Sequence, residues 1–429
     1  MDTKLARNLG FFDIYLFSLG YIIGAGLFIL INKTVKYSKE YTWLAFLFAG
    51  LISILNVITY IEFSSVFQKN SGEYDYISST LGNNMGLFVA ILVIFIYILT
   101  NTTTALSFGE YINSITGYNK TAISALCIII FSIINIIGIK MSSNVNIFIT
   151  FLEISAILGI IVFGFLYILK NKTYINSNNI NSINSINSIN SINKTTNFNL
   201  SNISYATFIA MFAYGGFETT VKLIEEAKNP EKDIPIALGA SILSAILLYT
   251  LVTFVITRIY NFKNINSSYT PLADIAKTLF GSSMYYIYIA IGSISILSSI
   301  LISTLGGSRL LHGISDKYDF LKFLNPVDKN TNTPIISIVF ISLLSILLLV
   351  INNVENAAAY TNYLFFIVLT LLNISLILLH YDENYKDKLN LSMVGGLNSK
   401  FPITPVLALF VNISMLIFSY KFKITKILK

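Results

Sequence analysis

The chain has 429 residues, of which 55% are hydrophobic and only 11% charged, and its mean hydropathy is +0.71. Soluble globular domains carry about 25% charged residues, so composition excludes the one or two soluble domains that length alone would allow. The formal net charge of +7 is spread over many short segments with no basic stripe interleaved with aromatics, which excludes a nucleic-acid partner. The lone cysteine, Cys127, sits in an apolar run; it can form no internal disulfide and reads as a small packing residue. Met1 to Gly10 is polar and the run after it is too long for a signal-peptide core, so no cleavable leader is expected.

Crossing a bilayer takes about 20 largely apolar residues. Eleven runs approach or exceed that length, at about 11–31, 42–67, 85–112, 121–140, 146–169, 204–223, 236–259, 284–308, 334–351, 357–380 and 402–420. Lipid offers the backbone no hydrogen-bond partners, so each is expected to be a helix. The second and third are long enough to tilt or to project into the loops. Segment 170–203 differs in kind: four tandem copies of Asn-Ser-Ile run from Asn181 to Ile192. Such low-complexity sequence builds no core and reads as a disordered loop near the midpoint of a two-halved protein, or as a neutral expansion. With a cytoplasmic N-terminus, Lys and Arg are shared evenly between the two sides, so the positive-inside rule does not fix orientation. Glycosylation triplets begin at Asn32, Asn119, Asn171, Asn193, Asn199, Asn202 and Asn266, all in expected loops of one side, although an Asn-rich chain makes such triplets by chance.

Two spans are interrupted by glycine near their middles: Gly20-Tyr21-Ile22-Ile23-Gly24-Ala25-Gly26-Leu27-Phe28 in the first, and Phe212-Ala213-Tyr214-Gly215-Gly216-Phe217-Glu218 in the sixth. Each opens one half of the chain. Gly-interrupted segments at matching positions in two halves point to a transporter binding site. Glycine lets a helix unwind and a ligand approach the backbone, and unwinding frees N–H and C=O groups that lipid cannot satisfy. Freed N–H groups suit a carboxylate, and freed carbonyls an ammonium. The alternative is that Gly24 and Gly26 merely let two helices pack closely.

These residues resemble the signatures of the amino acid–polyamine–organocation superfamily of permeases. Segment 20–28 is similar to the family's first-helix signature and 212–218 to its sixth, continuing into Glu225-Glu226-Ala227-Lys228-Asn229-Pro230 and Asp233-Ile234-Pro235. Tyr60 to Ser64, Gly72 to Tyr76 and Gly306 to Leu311 also match, and the resemblance covers about residues 8–420. It implies an all-α integral membrane protein of about eleven transmembrane helices, with two inverted five-helix repeats and helices 1 and 6 interrupted. It divides the chain into 1–169 (first repeat), 170–203 (loop), 204–380 (second repeat) and 381–429 (loop, eleventh helix and basic tail). It implies secondary active transport of amino acids, by symport or exchange. Gly24, Ala25 and Gly26 would donate N–H groups to the substrate carboxylate. Ile22 and the carbonyls of Phe212, Ala213 and Gly215 would receive its amino group. Phe212 would be a lid, and Glu218 an acidic gate position beyond the break. There are departures: Glu153 stands where many members have a lysine on the fifth helix, Gln68 stands where a proline is usual, and most members have twelve spans.

Glu153 lies deep in the fifth span, where an acid costs on the order of 2.5–3.5 kcal/mol even on lenient scales. It is either a proton site or a structural partner for a lysine or a backbone group. Tyr97, Asn101 and Thr104 share one face of the third span, which makes Asn101 a candidate substrate contact or an interhelical hydrogen bond. Ser295, Ser299 and Ser303 form a second stripe; Ser299 and Ser303 could join first-helix carbonyls around sodium, or simply pack. The charges at Glu225, Glu226, Lys228, Glu231, Lys232 and Asp233 read as an inner gate or a solvated loop. His312 and His380 lie far apart with no nucleophile motif or ligand spacing, so no catalytic residue, metal or cofactor is expected. The expected partners are a small amino acid, the lipid of a membrane (the plasma membrane in the first instance), and H+ or Na+ as coupling ion. Oligomeric state is left open. The competing readings are a non-transporting sensor or transporter relic, and a transporter of polyamines or other organic cations, for which Glu218 is the one obvious fixed acid.

Overall fold

The computed structural model describes residues 9–67, 72–137, 143–171, 198–224, 227–259, 268–315, 317–328, 331, 333–383 and 401–427. The described elements are helices: α1 (Phe11–Ser38), α2 (Thr42–Val66), α3 (Glu73–Leu81), α4 (Asn83–Thr116), α5 (Lys120–Ile136), α6 (Ser143–Asn171), α7 (Leu200–Tyr214), α8 (Phe217–Thr220), α9 (Pro230–Ile259), α10 (Pro271–Phe280), α11 (Ser282–Ser315), α12 (Ile335–Leu347), α13 (Val354–His380) and α14 (Ile403–Ile427), with short 3-10 turns between some of them. The one β-like contact among the described residues is an isolated bridge between Leu9 and Ala227. Seven helical stretches are long and apolar enough to cross a membrane, and two shorter apolar helices lie at Lys120–Ile136 and Ile335–Ile351. The repeat Asn181–Ile192, Gln68, Glu225 and Glu226 lie outside the described residues.

α1 is 28 residues long, about 42 Å at roughly 1.5 Å per residue, so its two ends mark the two faces of the bundle. The chain re-enters through α2, which places α3 on the face where α1 begins. α7 starts at the opposite face, where Tyr205 packs on Tyr37 near the end of α1. The chain beyond α8 returns to the first face, where Lys228 N donates to Leu9 O at 2.9 Å. Thus α1 and the α7–α8 segment run antiparallel against one another. α9 packs against both α1 and α2, and α4 against α11 and α13, enclosing the centre.

Two faces of chemistry hold this bundle. Outward, Leu126, Phe151, Leu166, Leu343 and Phe410 are exposed, as suits side chains whose solvent is lipid. Inward, the hydroxyls of α4 return their protons to their own helix: Thr102 to Ile98 O at 2.9 Å, Thr103 to Leu99 O and Thr104 to Thr100 O at 2.7 Å. This local bonding lets three successive threonines be fully buried. Asparagine side chains cap α5, α7 and α13 from Asn119, Asn199 and Asn353. Two of the expected loop triplets are therefore caps. Asn32 and Asn202 are not in loops at all. Asn32 is buried within α1, its amide donating to Ser268 O at 2.7 Å, because α1 runs past the expected end of the span.

α14 is fastened by a closed asparagine cluster. Asn412 exchanges amide bonds with Asn56 on α2 at 2.8 and 3.2 Å. Asn373 on α13 donates to Asn56 at 3.0 Å and accepts from Thr59 at 2.8 Å. Interhelical hydrogen bonds in membranes contribute about 0.6 kcal/mol on average and up to about 1.7. Asn412→Leu breaks two of them and should lower stability by about 1–2 kcal/mol, read as a lower thermal midpoint of the detergent-solubilised protein.

Candidate substrate site

The two interrupted spans break differently. In α7–α8 the helix stops at Tyr214, Gly215 is extended, Gly216 adopts φ +109, and α8 begins at Phe217. Gly216 is required there twice over: the backbone is left-handed, and a Cβ would come within 2.6 Å of the Tyr21 ring. α1 is helical on both sides of one non-helical residue, Gly24. It is kinked rather than opened over Gly24–Gly26.

Each break releases backbone groups that need partners. The Gly216 N–H donates to the Glu218 carboxylate at 2.8 Å, and the Gly215 N–H to Phe212 O at 3.2 Å. Gly24 O accepts from Ser295 Oγ at 2.7 Å. Tyr249 of α9 ties the two helices together. Its hydroxyl lies 2.7 Å from Ile22 O, 3.3 Å from Ile23 O and 3.1 Å from Ala213 O. Nothing in the sequence around Tyr249, one aromatic in an apolar run, marks it for that role. The carbonyls of Ile22, Phe212 and Ala213 were expected to stand open for an amino group. In this conformation Phe212 O accepts from the Gly215 N–H, and Ile22 O and Ala213 O share the one hydroxyl proton of Tyr249.

Between the breaks lies a narrow cavity of about 50 Å³, room for about four waters at roughly 10–15 Å³ each. Of the residues expected in the site, Ile22, Gly26, Phe212, Gly215, Glu218 and Ser299 line it. Gly24 and Ala213 lie just behind, against Ser299 and Gly26 respectively, and Ala25 follows in the same turn of α1. Phe212 forms part of the wall, where the sequence suggested a lid. Asn101 and Ser303 are also outside the lining. Asn101 is turned to α11, donating to Thr304 Oγ1 at 2.9 Å and accepting from Ser303 Oγ. Its neighbours Tyr97, Thr100 and Thr104 face the cavity instead. Ser303 is held by that contact and by Ser299 O at 2.6 Å, which leaves its hydroxyl committed to helix packing. Of the charged residues among those lining the cavity, there is one, Glu218.

Glu153 sits on α6, 1% exposed, with neither carboxylate oxygen in a hydrogen bond of good geometry. It faces the Ser295 hydroxyl, behind the Gly24 kink. No basic partner meets it among the described residues, so the lysine alternative finds no lysine there. On the face where α1 begins, a buried cluster that the sequence did not single out lies beyond the cavity. Lys222 is 3.8 Å from Glu73 and hydrogen-bonded to the Tyr97 hydroxyl, and Tyr60 donates to Glu73 at 3.2 Å. The available signal was a lysine inside an apolar span, four residues after Glu218.

The all-helical bundle, with lipid-facing leucines and phenylalanines, two antiparallel broken helices and a small central cavity, is an integral membrane protein. It matches the family described as "Amino acid permease" over residues 9–424. The chain belongs to that family, within the amino acid–polyamine–organocation superfamily. Among curated relatives, it is 22% identical to a chloroplastic cationic amino acid transporter 7 of Arabidopsis thaliana, over 80% of this chain and 60% of the relative. It is 24% identical to a human cystine/glutamate transporter, over 85% and 72%. It is 25% identical to a methylthioribose transporter of Bacillus subtilis (strain 168), over 62% and 58%. The chain thus spans about three-fifths of the length of the plant and Bacillus relatives.

Gly26 sets the spacing of the two helices: a Cβ there would strike the Ala213 backbone and come within 2.9 Å of its side chain. Gly239, also helical, has nothing within 4 Å of such a Cβ. Gly26→Ala should therefore destabilise by about 1–3 kcal/mol through overpacking, whereas Gly239→Ala should stabilise by up to about 1 kcal/mol through helix propensity. Thermal melts of the two variants should move in opposite directions.

Proposed function

We propose that this protein is a secondary active transporter that carries amino acids across a membrane, the plasma membrane in the first instance, by alternating access. One observation carries the reading: two antiparallel helices interrupt their backbones at facing positions, Gly24 and Gly215–Gly216, around a narrow cavity. A zwitterion is the small molecule whose two charges match backbone N–H groups on one side and carbonyls on the other. Gly24, Ala25 and Gly26 are assigned to the carboxylate. Ile22, Phe212, Ala213 and Gly215 are assigned to the amino group, with Tyr249 giving way as the carbonyls take the ligand. The antiparallel course of α1 and α7–α8 favours two inverted five-helix halves, 1–169 and 204–380, rocking about this site.

Glu153 is assigned to energy coupling. An acid buried without an ion-pair or hydrogen-bond partner is expensive to keep charged. Proton binding and release behind the Gly24 kink would change the charge next to α1 as the site changes sides. Ser295 and Ser299, which also meet that kink, favour the same location.

Purified protein in proteoliposomes should accumulate or exchange radiolabelled amino acids, with flux that saturates and responds to an imposed proton gradient. Glu153→Gln should retain exchange while losing the response to the gradient by at least ten-fold. Zero flux for every amino acid would rule out the transport reading, and an unchanged gradient response in Glu153→Gln would rule out the coupling role.

A further inference from the structure

α14 stands apart from the two proposed halves. One side of it, with Phe410, Ile417 and Tyr420, is exposed as suits lipid, and another buries Asn412. Between these run Val411, Met415, Phe418 and Phe422, at i, i+4, i+7 and i+11, a single stripe along the helix. The stripe borders two cavities in turn. Phe418 and Phe422 line one of about 570 Å³, at the face where α1 ends. Val411 and Met415 line a second of about 310 Å³, between α14, α2 and α7. Val411 lies about 10 Å further into the bundle than Phe418, at roughly 1.5 Å per residue.

The two cavities differ in chemistry. The wall of the first holds Lys36 and Lys39 from the end of α1 and Lys421 from α14, with no acid among the described lining residues. Glu355 stands behind that wall, 2.8 Å from Lys36 and hydrogen-bonded to the Tyr37 hydroxyl, and Lys36 still exposes 44% of its side chain. Lys421 makes no ion pair among the described residues. Ser201 and Asn202, in the first turn of α7, add the positive end of that helix to the same cavity. Its floor is aromatic: Phe422 stacks on Tyr205 with ring centres 4.5 Å apart and meets Tyr37 edge-on. The second cavity has no charged residue in its described lining, and its Phe48 and Leu51 are partly exposed, so it opens to lipid.

We propose that this seam holds an anionic glycerophospholipid, with its phosphate among Lys36, Lys39 and Lys421 and an acyl chain in the groove below. Depth and charge select that occupant together. The basic cavity lies at a face of the bundle, where headgroups are, and basic pockets between membrane helices suit anionic headgroups. The apolar groove continues along the same stripe of α14 to the depth of the lipid tails. A free anion uses only the first cavity. A zwitterionic lipid brings its own cation to a wall that already carries three ammonium groups. These like charges repel one another around the cavity, and a phosphate removes that repulsion. The bound lipid joins α14 to the far end of α1 and the start of α7, the two helices whose backbones break at the central cavity.

The test titrates the delipidated full-length chain, in neutral detergent, with phosphatidylglycerol or with phosphatidylcholine of the same acyl chains. Binding is read by native mass spectrometry and by thermal shift, so no transport assay is involved. Phosphatidylglycerol should bind at least five-fold more tightly, with a preference that shrinks as salt is raised. Lys39→Gln combined with Lys421→Gln, both exposed lysines, should remove most of the preference. Lys322→Gln, an exposed lysine at the opposite face, should leave it unchanged. Leu51→Trp, which fills the groove from its lipid-exposed side, should weaken both lipids at least three-fold and keep the preference. sn-Glycerol 3-phosphate, the headgroup without chains, should bind at least ten-fold more weakly than phosphatidylglycerol. Equal binding of the two lipids overturns the site, as does a preference that the paired lysine variant leaves intact or that Lys322→Gln lowers as much. Glycerol phosphate binding as tightly as the lipid overturns the lipid in favour of a free anion, and a silent Leu51→Trp overturns the acyl-chain groove.

Discussion

A backbone inside a bilayer must find its own hydrogen-bond partners, and the rest of this structure follows from where that rule is broken and how each break is answered. An unmade buried hydrogen bond costs on the order of 1–3 kcal/mol, so two interrupted helices facing one another cannot be left bare. The single hydroxyl proton of Tyr249 is shared among carbonyls of both helices, Ser295 answers for Gly24, and Glu218 for the Gly216 amide. These partners are side chains and exchangeable. A ligand with suitable charges can take their places at little net cost in hydrogen bonds, which is what makes a broken helix a binding site.

Charge is managed by the same economy. The described interior holds few ionisable groups, and these have distinct settings. Glu73 and Lys222 satisfy one another next to Tyr60 and Tyr97. Glu218 is left on the cavity wall with a backbone amide. Glu153 is isolated behind the first-helix kink with hydroxyls and apolar side chains around it. The first is a closed arrangement that positions its neighbours. The other two are buried acids with no ion pair among the described residues.

Several features were legible because they depend on composition along the chain. Apolar runs marked the spans, since crossing lipid is a matter of length and hydropathy. The glycines at 24, 26, 215 and 216 marked the breaks, since only glycine takes the left-handed turn at Gly216 or permits the approach of Gly26 to Ala213. The sixth span shows the limit of hydropathy. α7 and α8 fall below the length of a spanning helix because the chain breaks at the site itself. Asn101 shows the limit of periodicity. Tyr97, Asn101 and Thr104 share a helix face, yet that face is wide enough for its edge to meet α11 while its centre meets the cavity.

The sequence by itself determined that this chain lives in a membrane as a helical bundle and that its backbone gives way at two matched places. Those are properties of consecutive residues, and the solvent enforces them locally. Only the tertiary structure decided which groups answer the breaks: Tyr249 across Ile22 and Ala213, Ser295 on Gly24, and Lys222 on Glu73 rather than on Glu218. Each of these joins residues far apart in the chain, or chooses between two partners of equal chemistry. Such choices are made by the packing of whole helices, on which no single stretch of sequence carries information.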